Sequence, residues 1–162
     1  MEKELSASAL RVQQYLAQRG ERFEVKEFAD STRTAQEAAD SIGCSVAQIA
    51  KSLVFEDRNS GELVLVIASG SNRVDTGKIA DATDCRLKQA KANMVKPKTG
   101  YAIGGIPPVG HNEPLKTFLD EDLKRFNTIW AAAGTPFAVF QLTPASLEKL
   151  TCGQWLDLRL VS

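Results

Sequence analysis

Twelve consecutive residues, Gly100-Tyr-Ala-Ile-Gly-Gly-Ile-Pro-Pro-Val-Gly-His111, hold four glycines, an adjacent pair of prolines and the only histidine of the chain. Glycine lets a backbone approach a ligand closely or take positive φ, and proline fixes φ while removing a donor. Such a segment is a stiff loop whose remaining N–H groups can be aimed at a bound molecule, and a plain connector needs far fewer of these residues. Lys51 is the second residue of interest. It follows the short turn Ser45–Ala50 and precedes the apolar run Leu53-Val-Phe55, so its ammonium can extend over an adjoining pocket. By position alone it is as readily a surface charge.

Other catalytic devices are missing from the sequence. There is no G-x-S-x-G elbow, P-loop, H-E-x-x-H or G-x-G-x-x-G after a strand. A serine triad has only His111 to draw on, and no serine stands out as its partner. Cys44, Cys85 and Cys152 are odd in number and far apart, without metal-binding spacing, and read as buried structural thiols. Neither a metal nor a cofactor is expected.

The elements that must position the loop and the lysine follow from pattern. Leu5, Ala9, Val12 and Leu16 recur at helical spacing, with Ser6 or Ser8 to start the helix and Gly20 to end it. Phe23–Phe28 reads as a short strand. Thr34-Ala-Gln-Glu37 is a capping box opening a helix that stops at Gly43, and Ser45-Val-Ala-Gln48 opens a further turn or two. Leu53–Phe55 and Leu63–Ala68 are β-rich runs joined by Asp57–Gly61 into a hairpin. Asp75 caps a helix to Ala82. Arg86–Ala90 is a candidate strand, and residues 92–99 stay undecided because Pro97 interrupts a late helical turn. Thr117–Leu119, Thr128–Ala133 and Phe137–Gln141 are candidate strands, Thr143-Pro144 starts a helix over 144–151, and Trp155–Leu160 alternates like a half-buried strand. The sum is an α+β protein: one mixed domain, 1–162, on a largely antiparallel sheet, with 1–29 contributing a helix and strand packed on it.

The chain has 162 residues, 43% hydrophobic and 25% charged, and a formal net charge of zero. A general nucleic-acid binder driven by counterion release is therefore excluded. Residues 63–98 nonetheless carry seven cations against three carboxylates, where a phosphate-bearing partner could sit. No run matches a membrane span and the N-terminus lacks a signal-peptide pattern, so a cytoplasmic protein without membrane partners is expected.

Taken in order, Lys51-Ser-Leu-Val-Phe55, the hairpin, Arg73-Val-Asp75, Thr99-Gly-Tyr101, Gly104-Gly-Ile-Pro-Pro-Val-Gly-His111, Ala132-Ala-Gly-Thr-Pro136 and Leu142-Thr-Pro144 resemble the YbaK/ProX-type trans-editing family. That family is related to the editing insertion of bacterial prolyl-tRNA synthetase, and the resemblance covers roughly residues 30–158. It implies a strongly curved sheet and hydrolysis of mischarged aminoacyl-tRNA, releasing a small amino acid and free tRNA. It also implies a lysine that holds the phosphate or ribose of the terminal adenosine, falling on Lys51, and a G-x-x-x-P loop lining the amino-acid pocket, falling on Gly104–Pro108. An activated ester needs positioned water and a stabilised oxyanion more than a strong base, so N–H groups around Gly104 and Gly105 are the expected donors.

Ile106, Pro107, Pro108, His111 and Tyr101 complete the candidate binding residues. Pro107 and Pro108 serve chiefly to stiffen the loop, Tyr101 either walls the pocket or belongs to the core, and His111 either supports the site by hydrogen bonding or caps the segment after the loop. The expected partner is the acceptor end of an aminoacyl-tRNA, with a synthetase as a second one. Monomer and homodimer both stay open. The alternative is a non-catalytic module that binds aminoacyl-tRNA or a nucleotide-like ligand beside a synthetase. A third reading, hydrolysis of a small amino ester unrelated to tRNA, predicts indifference to salt.

Overall fold

The computed structural model describes residues 2–3, 5–20 and 23–161. Its elements run β1 (Glu2–Lys3), α1 (Ala7–Gln18), β2 (Val25–Phe28), α2 (Ala35–Ile42), β3 (Ile49–Asp57), β4 (Leu63–Ser69), α3 (Thr76–Ala82) and β5 (Leu87–Gln89). There follow α4 (Ala92–Thr99), β6 (Lys116–Asp120), β7 (Ile129–Ala132), β8 (Ala138–Leu142), α5 (Pro144–Thr151) and β9 (Gln154–Leu156). Short 3-10 turns at Val46–Gln48 and Glu121–Arg125 precede β3 and follow β6.

All these strands join one sheet in the order β1-β2-β8-β7-β3-β4-β6-β9, with β5 beside β3. The pairs β3–β7, β4–β6 and β6–β9 are parallel and the others antiparallel, which makes the sheet mixed rather than largely antiparallel. Sequence pattern reveals hairpins such as β3–β4 and β7–β8, whose strands are close in the chain. Parallel neighbours need long crossovers, and nothing local announces them. The crossover from β4 to β6 contains α3, β5, α4 and the glycine-proline loop, so the parallel pairing itself carries that loop to the sheet.

β4 is buried along its whole length. Leu65 and Ile67 enter one core with Ala9, Val12 and Leu16 of α1, while Val64, Val66 and Ala68 enter a second with Ile79, Phe118 and Leu158. Alternate residues of a strand face opposite sides, so an uninterrupted apolar run marks a strand covered on both faces. Each such aliphatic side chain contributes about 1.5–3 kcal/mol when fully buried.

Several local expectations are corrected. β3 begins at Ile49, four residues before the apolar run, because Ile49 and Ala50 pair with Trp130 and Ala131 of β7 while Ala50–Ser52 pair with β4. Lys51 therefore lies inside a strand, not ahead of one. α4 forms through Pro97, which sits in its last turns. β9 ends at Leu156, and the chain beyond it meets α3's approach through the Val74–Arg159 bridge. Of the thiols only Cys85 is buried; Cys44 is partly buried and Cys152 is exposed, ending α5 at φ +53°. No described helix is long and apolar enough to cross a membrane.

Candidate active site

The start of β3, the approach to α2 and the glycine-proline loop enclose a cavity of about 480 Å³. Residues 32–35 form a first wall, Ile49–Leu53, Ile103, Gly104 and Ile106 complete the lining, and that wall meets the loop where the Arg33 stem lies against Gly104. The first wall is fixed by its own chemistry. Thr34 caps α2, its Oγ1 accepting the Glu37 N–H at 3.1 Å, and Thr32 donates its N–H and hydroxyl to the Pro136 carbonyl at 2.6 and 3.1 Å. Gly70 lines the cavity where β4 ends; a Cβ there would collide with the Val46 carbonyl oxygen and with Ala35.

The loop wall is tied down at both ends and in the middle. At its base the Asn112 N–H donates to Thr99 O at 3.0 Å. Inside it the Gly105 N–H closes a turn onto Ala102 O at 3.1 Å, with Gly104 in the third position at φ +99°, a conformation that glycine adopts without strain. The Gly105 carbonyl then accepts the Gly134 N–H at 2.8 Å, and a Cβ on Gly105 would lie 2.5–2.8 Å from Thr135 backbone atoms. Farther on, His111 Nε2 sits 2.7 Å from the Pro107 carbonyl, which identifies it as the protonated nitrogen. The segment Ala132–Pro136 is thus the clamp that holds the loop against β7 and β8.

These ties separate the expected site residues. Lys51, Gly104 and Ile106 line the same cavity. Gly105 lies behind the turn with its N–H spent in it, which removes that N–H from the expected oxyanion donors. No hydrogen bond among the described residues uses the Gly104 N–H. Tyr101 is core, 2% exposed, with its hydroxyl donating to Gly110 O at 3.2 Å. Pro108 and His111 line a separate cavity of about 370 Å³ with Tyr15 and Arg19, while Pro107 lines neither.

Burial pulls the Lys51 ammonium below the ordinary lysine range and the charge of Arg73 lowers it further, against the opposing pull of Asp120. Asp120 is itself buried. Its oxygens accept the Ser69 N–H at 3.0 Å, the Asn72 side-chain amide at 2.8 Å and the Asp122 N–H at 3.0 Å. No described carboxylate reaches Lys51 as an ion-pair partner. Part of the basic excess is neutralised at the surface, Lys78 by Asp157 at 3.1 Å and Lys88 by Glu56 at 3.3 Å.

Two residues escaped sequence reasoning. Arg33 lies along the outer wall, and Ser52 sits where the main cavity meets an apolar annex of about 270 Å³ lined by Val54, Phe55, Val95 and Ile106. The Ser52 hydroxyl is buried without a hydrogen-bond partner, an arrangement that costs about 1–3 kcal/mol unless a ligand satisfies it. Its position next to Lys51 was the only signal; Arg33 gave none.

Comparison with known proteins shows the family. Residues 29–150 match the model of the aminoacyl-tRNA editing domain family. A crystal structure described as "a putative trans-editing enzyme for prolyl tRNA synthetase" superposes with a TM-score of 0.91 at 48% identity, over 98% of this chain and all of that one. The uncharacterised protein YwhH of Bacillus subtilis is 33% identical over 83% of this chain and 85% of its own. The "Putative Cys-tRNA(Pro)/Cys-tRNA(Cys) deacylase EbsC" of Enterococcus faecalis is 27% identical over 81% and 80%.

Proposed function

The chain belongs to the aminoacyl-tRNA editing domain family, and on that premise we propose that it acts in trans, in the cytoplasm, to hydrolyse the ester of mischarged aminoacyl-tRNA. The observation that carries this reading is the cavity shared by Lys51 and Gly104. Lys51 supplies a positive charge with no carboxylate to neutralise it, suited to a phosphodiester of the acceptor end. Gly104 offers an unused N–H to the carbonyl oxygen as it becomes an oxyanion. Water adds to the ester carbon, the bond to the ribose oxygen breaks, and that oxygen leaves with a proton as the free hydroxyl of the tRNA. A single oxyanion donor of this kind is worth about 10²–10³ in rate. The apolar annex accepts a small side chain, and Ser52 offers its hydroxyl to the polar atoms of the aminoacyl group.

One observation favours a second reading. No described carboxylate or imidazole lines the cavity, as in a module that binds aminoacyl-tRNA without cleaving it. An activated ester needs no strong base, so hydrolysis remains the better account. A panel of mischarged tRNAs incubated with the purified protein separates the two. Release of an amino acid from at least one supports hydrolysis; saturable binding of the same tRNAs with every ester left intact supports the module.

A further inference from the structure

Resting on that reading, we infer that Arg33 is a second phosphate-binding residue of the site, gripping the acceptor end from beside the Gly104 turn, against which its stem packs. The side chain is held in place by what Gly104 lacks. A Cβ on Gly104 would lie 2.7 Å from Arg33 Cγ and 3.0 Å from Nε, so the arginine stem rests directly on the turn. Arg33 is exposed, and its guanidinium has no hydrogen bond or ion pair among the described residues. Arg33 and Lys51 are the charged residues of the cavity lining, and both are cations.

That charge pattern selects the part of the substrate that enters here. An aminoacyl ester has no free carboxylate and carries a positive α-ammonium, which two unpaired cations repel. The anion available is a backbone phosphate, and a guanidinium presents the planar pair of N–H donors that phosphate oxygens accept. The substrate therefore lies with its phosphate between Arg33 and Lys51 and its side chain toward the apolar annex beyond Ile103 and Ile106. Arg33 binds the ground state and the transition state alike, so its loss raises KM more than it lowers kcat.

The test uses the mischarged tRNA that the wild type cleaves fastest and the matching aminoacyl ester of adenosine, which has no phosphate. For Arg33→Ala, kcat/KM on the tRNA falls about tenfold, mainly through KM. The slope of log(kcat/KM) against log salt becomes shallower by about 0.7, the value of one single-strand phosphate contact. Arg33→Lys, which keeps the charge without the planar fork, restores the salt slope but only part of the rate, and cleavage of the adenosine ester is unchanged in both variants. A tRNA rate and salt slope unaltered in Arg33→Ala overturn the proposal, as does an equal loss on the phosphate-free ester. Wild-type protein that leaves the whole panel intact overturns the deacylase reading, and the role of Arg33 with it.

Discussion

Lys51 is a charge kept where charge is unwelcome. Its lowered proton affinity arises first from burial and then from Arg73, and both disfavour the ammonium. Between the lowered folded value and the ordinary one, the unfolded chain binds more protons than the folded chain, so stability rises with pH across that window. Below it the penalty is present in full. Lys51→Met removes the penalty, and the variant should melt at a higher temperature than the wild type at neutral pH. Its pH–stability curve should lose that rise. Activity has the opposite sign: the anchoring charge disappears as pH rises through the lowered value, so KM should climb at a lower pH than an ordinary lysine would set. The lysine was legible only as part of a motif. Arg33 and Ser52 were not legible, because the loop residues that complete their surroundings, Ile103 and Gly104, lie far away in the chain.

At the scale of elements the loop and its clamp act as one piece. Gly105→Ala places a methyl against the Thr135 backbone, and backbone cannot swing aside as a side chain can. Overpacking of this kind costs about 1–3 kcal/mol, so a lowered urea midpoint is expected, with a greater loss of hydrolysis than the stability change alone explains. His111 supports the same loop from behind. Burial lowers its proton affinity and Arg11 adds to this, against the Pro107 carbonyl. As pH falls through the ordinary histidine value toward the lowered one, the unfolded chain takes up the proton first and stability declines. Below the folded value that loss is complete. His111→Gln should flatten the acid side of the urea-midpoint profile below the ordinary histidine value; an unchanged slope would assign it to other groups.

Helices announced by caps were read directly from sequence. Thr34, Asp75 and Thr143 each accept backbone N–H groups where expected. α4 stayed undecided because its proline argues against the helix that tertiary packing of Val95 and Thr99 nonetheless forms.

For the whole molecule, a net charge of zero forbids strong general attraction to RNA, so recognition depends on where unpaired cations stand. Lys78 and Lys88 are held by Asp157 and Glu56; Arg73 is exposed and its charge is felt at Lys51. Arg73→Ala should weaken tRNA cleavage at low salt and move the alkaline limb of KM to higher pH, since the Lys51 ammonium is then less repelled. Lys78→Ala and Lys88→Ala should leave both nearly unchanged. The basic stretch was visible in the sequence, but its partition into paired and free charges depended on strand neighbours that composition cannot supply.

The most direct measurement compares wild type and Lys51→Ala on one panel of mischarged tRNAs, with both proteins shown to be folded by their melting curves. Release of a small amino acid by the wild type, reduced about tenfold or more in the variant as the loss of a charged phosphate contact implies, is the predicted result. Equal release by the two proteins would contradict the placement of chemistry at this cavity, and no release by the wild type would contradict the deacylase activity itself.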